Sequence, residues 1–157
     1  ARALVWEEHP DLRLVIVGPD GWGTAELDAA LARVPAGDRV IRLGYVPERV
    51  RADLVAGAVC LAFPSRYEGF GLPPLEAMAL DTPVVATTIG AVTEVCGDAA
   101  LLVAPGDAPA LARAIASVAA DDALAARLVA AGRTRLPLFS WDRAATDLAG
   151  LYRRLAA

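Results

Sequence analysis

Residues 64–85 read PSRYEGFGLPPLEAMALDTPVV, and the fold is decided by what stands on either side of the turn in this stretch. Residues 59–65 (VCLAFPS) are a short, almost continuously apolar run ending in Pro and Ser. That is the pattern of a strand covered on both faces. After the Gly-Phe-Gly turn, residues 73–80 carry helical composition, with proline in the first turn. Residues 83–88 (PVVATT) then repeat the strand pattern. Strand, helix and strand in this order predict a parallel βαβ unit.

The same alternation extends outward. Strands are expected at residues 12–18 (LRLVIVG), 39–46 (RVIRLGYV) and 100–104. Helices are expected at 24–34, 47–56 and, as a short turn, 91–96. Beyond them lie three helices: 107–119 and 122–136, and one that begins after Ser140 and runs to the end. Asp107 and Ser140 read as N-caps, and Asp98, Asp121 and Asp122 as turn or cap residues. Leu148, Leu151, Tyr152 and Leu155 share one face of the last helix, and Trp141 is expected in the core. The prediction is an α/β chain forming one domain over residues 1–157. Its core is a Rossmann-like, doubly wound parallel sheet of about five strands, with helices on both faces and C-terminal helices.

Composition narrows the chemistry. With 157 residues, 56% hydrophobic and 22% charged, the chain buries a full core and is not a disordered segment. It has no lysine, so a Walker lysine, a Schiff-base lysine and a Ser-Lys dyad are all excluded. Fifteen arginines stand against nineteen acids, a net charge of −4, which argues against a nucleic-acid partner. Cys60 and Cys96 form no CxxC pair and no disulfide framework is expected, so a reducing compartment fits. His9, the single histidine, precedes Pro10 at a helix end and reads as a C-terminal partner rather than a catalytic group. The opening residues do not read as a signal peptide, and no run of eighteen apolar residues occurs.

In doubly wound sheets, ligands bind beyond the carboxyl ends of the strands. The candidate residues are therefore those from Gly18 to Gly23, from Gly44 through Tyr45 and Val46 to Pro47, from Ser65 to Gly71 and from Thr87 to Gly90. Trp22 is expected to pack in its loop or to border the crevice. Gly69 and Gly71 flank Phe70, so backbone N–H groups can approach a ligand closely. The turn feeds the N-terminus of a helix, which suits an anion such as a diphosphate. Glu68 in the loop and Glu76 one turn into the helix can accept paired hydrogen bonds from vicinal hydroxyls. Diphosphate and polyol together describe a sugar nucleotide.

These residues resemble the signature of the retaining glycosyltransferases of family four, also called glycosyltransferases group 1. That family carries a Glu, seven residues and a second Glu, matched here by Glu68 and Glu76 within PSRYEGFGLPPLEAMA. LRLVIVGPDG, IRLGYVPE, GAVTEVCGDAALLVAPGDAPALARAI and FSWDRAA resemble further family stretches, so the likeness covers essentially the whole chain. It implies the C-terminal, donor-binding domain of a GT-B enzyme. In the resemblance, Glu76 holds the ribose hydroxyls and Glu68, the catalytic candidate, contacts hydroxyls of the transferred sugar. Backbone amides around Phe70, Gly71 and Leu72 bind the diphosphate or the sugar, and the strand end from Gly44 to Val46 lies by the nucleobase. Transfer is implied to retain configuration and to need no metal or other cofactor, with a departing diphosphate oxygen assisting on the same face.

The resemblance carries further expectations. The family's domain opens with a strand ending in Gly-Arg, followed by Lys-Gly, and that Arg and Lys clamp the diphosphate. This sequence begins inside what resembles the next helix (ARALVWEEHPDL). That strand, which in the family sits between the strands matching 12–18 and 59–65, is expected to be lacking. The acceptor-binding N-terminal domain is likewise expected to be missing, and any membrane association falls to it. A cytoplasmic protein is implied, peripheral at most to the inner face of the membrane. Asp81 stands where the family usually has Gly, just past a helix end, and is expected to adopt a left-handed conformation at a local cost. The alternatives are a GT-B epimerase acting on a sugar nucleotide and a non-catalytic nucleotide-binding module.

Overall fold

The computed structural model describes residues 2–19, 21, 24–33 and 39–156. Trp22 and the expected end of the second helix at Val34 lie outside the described residues. Along the rest, the order is α1 (Arg2–Glu8), β1 (Leu14–Val17), α2 (Thr24–Ala32), β2 (Val40–Gly44), α3 (Glu48–Ala56), β3 (Leu61–Phe63) and α4 (Leu72–Ala79). Then come β4 (Val84–Thr87), α5 (Gly90–Cys96), β5 (Ala100–Val103), α6 (Ala108–Ala120), α7 (Asp122–Arg135), a 3-10 turn (Leu136–Phe139) and α8 (Trp141–Leu155).

The core is built around β4. It pairs in parallel with β3 on one side and β5 on the other, with Val84 opposite both Leu61 and Ala100. Because successive side chains in a strand point to opposite faces, β4 serves two layers at once. Val84 and Ala86 pack with Leu75, Met78, Val92 and Cys96 from α4 and α5. Val85 packs with Ala114, Val118 and Leu128 from α6 and α7. All three β4 residues are completely inaccessible to solvent. Helices on both faces of a parallel sheet are the doubly wound arrangement expected from the near-continuous apolar strands.

The expected five parallel strands are present, in two sheets rather than one. β1 and β2 form a separate parallel pair, with Leu14 opposite Val40, and β1 makes no ladder with β3. The break falls where a strand was expected to be lacking, between β1 and β3. Val15 in β1 and Leu43 in β2 are about two fifths exposed, at 38% and 43%.

The capping expectations hold. Asp107 accepts from the Ala110 N–H at 2.9 Å, and Asp121 from those of Ala123 and Leu124 at 2.9 and 3.0 Å. Ser140 accepts from Arg143 N–H at 3.2 Å and starts α8. Asp81 has φ +58°, the left-handed backbone expected there. Its carboxylate takes a bidentate pair from Nε and Nη2 of Arg133, both at 2.7 Å.

One expectation fails. Trp141 is not in the core but 91% exposed, and Leu148, Leu151, Tyr152 and Leu155 are all at least two fifths exposed. The periodicity of α8 is real, but the helix packs chiefly on the 3-10 turn, and much of its apolar face stays open to solvent.

Candidate functional site

β3 stops at Phe63, and Pro64, having no N–H to give a ladder, turns the chain out of the sheet. The loop that follows is tied down residue by residue. The Ser65 carbonyl accepts the hydroxyl of Thr87, a buried residue at the end of β4, at 2.5 Å. The Ser65 hydroxyl donates to Oε1 of Glu68 at 2.6 Å. Glu68 is thus fixed through Ser65 to the carboxyl ends of two neighbouring strands.

Phe70 anchors the far side of the loop. Its ring meets Phe139 edge to face, with centroids 6.1 Å apart. The Arg135 guanidinium lies 5.6 Å from the centroid of Phe139. It also donates from Nε to the Val95 carbonyl at 2.5 Å and from Nη2 to the Glu94 carbonyl. These carbonyls belong to the last turn of α5, where a cation is favoured by unpaired acceptors and the helix dipole.

Gly71 is the N-cap of α4, with φ +101° and ψ +45°. A Cβ there would lie in ordinary contact with Val92, so the backbone angle, not lack of room, calls for glycine. Pro73 and Pro74 have no N–H, so the first turn of α4 presents the Leu72 N–H beside that of Gly71. Among the described residues no side chain caps this end. Among the described residues no backbone carbonyl accepts from Phe70, Gly71 or Leu72. These amides therefore stand available at the positive end of a helix, the arrangement that binds phosphate.

Glu76 sits one turn further along α4 and is not alone. Arg51, on α3, reaches it with both terminal guanidinium nitrogens: Nη1 donates to Oε2, and Nη2 to Oε1 at 3.3 Å. The hydrogen bond to Glu76, followed by its charge, raises the pKa of Arg51. Sequence reasoning missed this arginine. PERVRADLV reads as an ordinary surface helix, and the pair spans 25 residues and two elements, so nothing local announces it.

At the other sheet, the Gly18 N–H donates to the Gly44 carbonyl at 2.8 Å, which brings the ends of β1 and β2 together. Both glycines have positive φ, at 135° and 65°. Tyr45 follows at 78% exposure and Val46 is half-buried. The expected residues thus fall into two groups: Gly18, Gly44, Tyr45 and Val46 at the first sheet, and Ser65, Glu68, Gly69, Phe70, Gly71, Leu72 and Glu76 at the second. The Arg51–Glu76 pair joins the helix leaving the first sheet to the helix leaving the second. A second tie runs alongside it, from the Thr82 hydroxyl to the Val55 carbonyl at 2.8 Å.

The remaining candidates lie apart from this chemistry. Burial pushes the Cys60 and Cys96 thiols up to about 11, so neither is a nucleophile near neutral pH. His9 follows α1 and donates its N–H to the Val5 carbonyl at 2.8 Å. Among the described residues no helix is long and apolar enough to cross a membrane.

Comparison with known proteins agrees with this geometry. The family described as glycosyl transferases group 1 matches residues 1–121. O-antigen chain mannosyltransferase B of Escherichia coli is 37% identical over 145 residues, covering 90% of this chain and 37% of that protein. Sucrose-phosphate synthase from Thermosynechococcus elongatus superimposes with a TM-score of 0.82 at 34% identity, over 98% of this chain and 41% of its own. The C-terminal domain of a glycosyl transferase group 1 family protein (LpcC) from Francisella tularensis superimposes with a TM-score of 0.74 at 25% identity, over 87% of this chain and 74% of its own. The chain spans little more than a third of the mannosyltransferase.

Proposed function

Because this chain belongs to the glycosyl transferases group 1 family, we propose that it is the donor-binding domain of a retaining glycosyltransferase, which moves a sugar from a nucleoside diphosphate to an acceptor hydroxyl. One observation carries the reading: a helix N-terminus with available amides, set at the end of a buried strand, with one carboxylate in the loop before it and another one turn inside it. The mannosyltransferase and synthase names of its relatives support the same class of chemistry.

Each part of the site has a task in this reading. The Gly71 and Leu72 amides and the α4 dipole meet the diphosphate charge, without a metal. Glu76 accepts the ribose hydroxyls. Glu68, steadied by Ser65, accepts hydroxyls of the transferred sugar and stabilises the reacting conformation. Gly18, Gly44, Tyr45 and Val46 flank the base. As the bond at the anomeric carbon breaks, the departing diphosphate oxygen assists attack by the acceptor on the same face. The acceptor belongs to a second domain. A further parallel strand fills the break between β1 and β3, completing one sheet and covering residues such as Val15.

Calorimetric titration of an enzyme that carries this domain and an acceptor domain, with a panel of UDP-, GDP- and ADP-sugars, tests this. The reading expects saturable one-to-one binding for donors of one base, and competition by the corresponding nucleoside diphosphate. No binding across the panel at millimolar concentration contradicts it.

A further inference from the structure

Arg51 has no place in the roles just described, yet among the described residues it makes the one contact that reaches the carboxylate of Glu76 from another element. We propose that Arg51 is a positioning residue for the nucleotide's ribose: it holds the Glu76 carboxylate in its receiving orientation before the ligand arrives. This rests on the donor-site reading above.

The geometry carries the inference. Both side chains are partly open to water, at 37% and 40%. A pair so exposed adds little to fold stability. What it does supply is direction. A planar guanidinium donating from two nitrogens fixes the plane of the carboxylate, which a single ammonium contact cannot do. A carboxylate has about four lone-pair sites. The fork occupies one on each oxygen and leaves one on each oxygen for the two vicinal hydroxyls of a ribose. Without Arg51, a glutamate with three rotatable side-chain bonds has to be ordered by the ligand itself, which weakens binding.

The pair also joins two structural units that share no strand ladder. Arg51 is on α3, which follows the β1–β2 sheet, and Glu76 is on α4, which follows β3. A ribose lying between a base at the first sheet and a diphosphate at the α4 N-terminus sits where such a bridge is needed.

The test is a calorimetric cycle, in an enzyme that carries this domain and an acceptor domain, on the wild type, Arg51→Leu, Glu76→Ala and the double variant. The probes are UDP, GDP and ADP, taking whichever binds, together with its 2′,3′-dideoxy form. Arg51→Leu is expected to weaken the ribose nucleotide about five- to tenfold, to change the dideoxy form less than about twofold, and to add less than about twofold on top of Glu76→Ala. A purely structural arginine weakens both nucleotides alike, and that result overturns the proposal. So does unchanged affinity in Arg51→Leu when Glu76→Ala has lost tenfold. If Arg51→Leu lowers the unfolding midpoint, Arg51→Lys, which keeps the charge and loses the fork, carries the same comparison. Wild-type affinity that Glu76→Ala leaves intact instead overturns the ribose role of Glu76, and the Arg51 proposal with it.

Discussion

Ser65 holds Glu68: the serine hydroxyl donates to Oε1 at 2.6 Å from only three residues away. Both residues lie in the loop between β3 and α4, and Thr87 fixes Ser65 in turn. In an enzyme that carries this domain and an acceptor domain, Glu68→Ala is therefore expected to lower kcat more than it lowers nucleoside diphosphate affinity. Interactions realised in the transition state appear in kcat. Ser65→Ala should follow in the same direction with a smaller loss, about tenfold, the lower end for a hydrogen bond to a charged group. Steady-state kinetics set beside binding measurements decide this. Equal losses in affinity and kcat contradict it.

Gly71 carries a second prediction. With φ +101°, a side chain at this position is strained whatever space surrounds it. Gly71→Ala is expected to cost about 1–3 kcal/mol in urea unfolding and to weaken nucleoside diphosphate binding, because the Gly71 and Leu72 amides shift together. Unaltered stability and affinity show that the turn does not depend on glycine.

The parts of the site that were legible in the sequence are those set by local spacing. Glu68 and Glu76 fall in one unbroken segment, and its strand, turn and helix are marked by their own residues. Asp81 was legible too, since a residue just past a helix end is often left-handed. Arg51 was not, because its partner lies 25 residues away on another helix. The exposure of Trp141 was hidden for a related reason: an apolar stripe predicts a helix but does not say what faces it.

Asp81 gives a pH prediction. The hydrogen bonds from Arg133 hold its carboxyl below the ordinary range. A lowered folded pKa contributes stability that is present above the unfolded value, near 4, and is lost as pH falls through the folded value. Asp81→Gly relieves the positive φ but removes the pair. The melting temperature of the glycine variant relative to wild type should therefore rise as pH falls from about 5 to about 2. A difference that stays constant over that interval shows that the pair adds nothing.

The break between β1 and β3 predicts how these 157 residues behave by themselves. Unpaired strand edges and exposed apolar side chains favour association. Expressed alone, they are expected to melt broadly and to self-associate, as read by calorimetry and light scattering. A monomer with a sharp cooperative transition contradicts the proposal that a further strand belongs in the break.

The most direct test of the donor-site assignment is the affinity of Glu76→Ala for the nucleoside diphosphate that the wild type binds best. Charge-assisted hydrogen bonds are worth roughly 1.5–3 kcal/mol, so calorimetry should show a ten- to hundredfold loss with the fold intact by circular dichroism. Unchanged affinity in a folded Glu76→Ala variant would remove the ribose from this site and contradict the assignment.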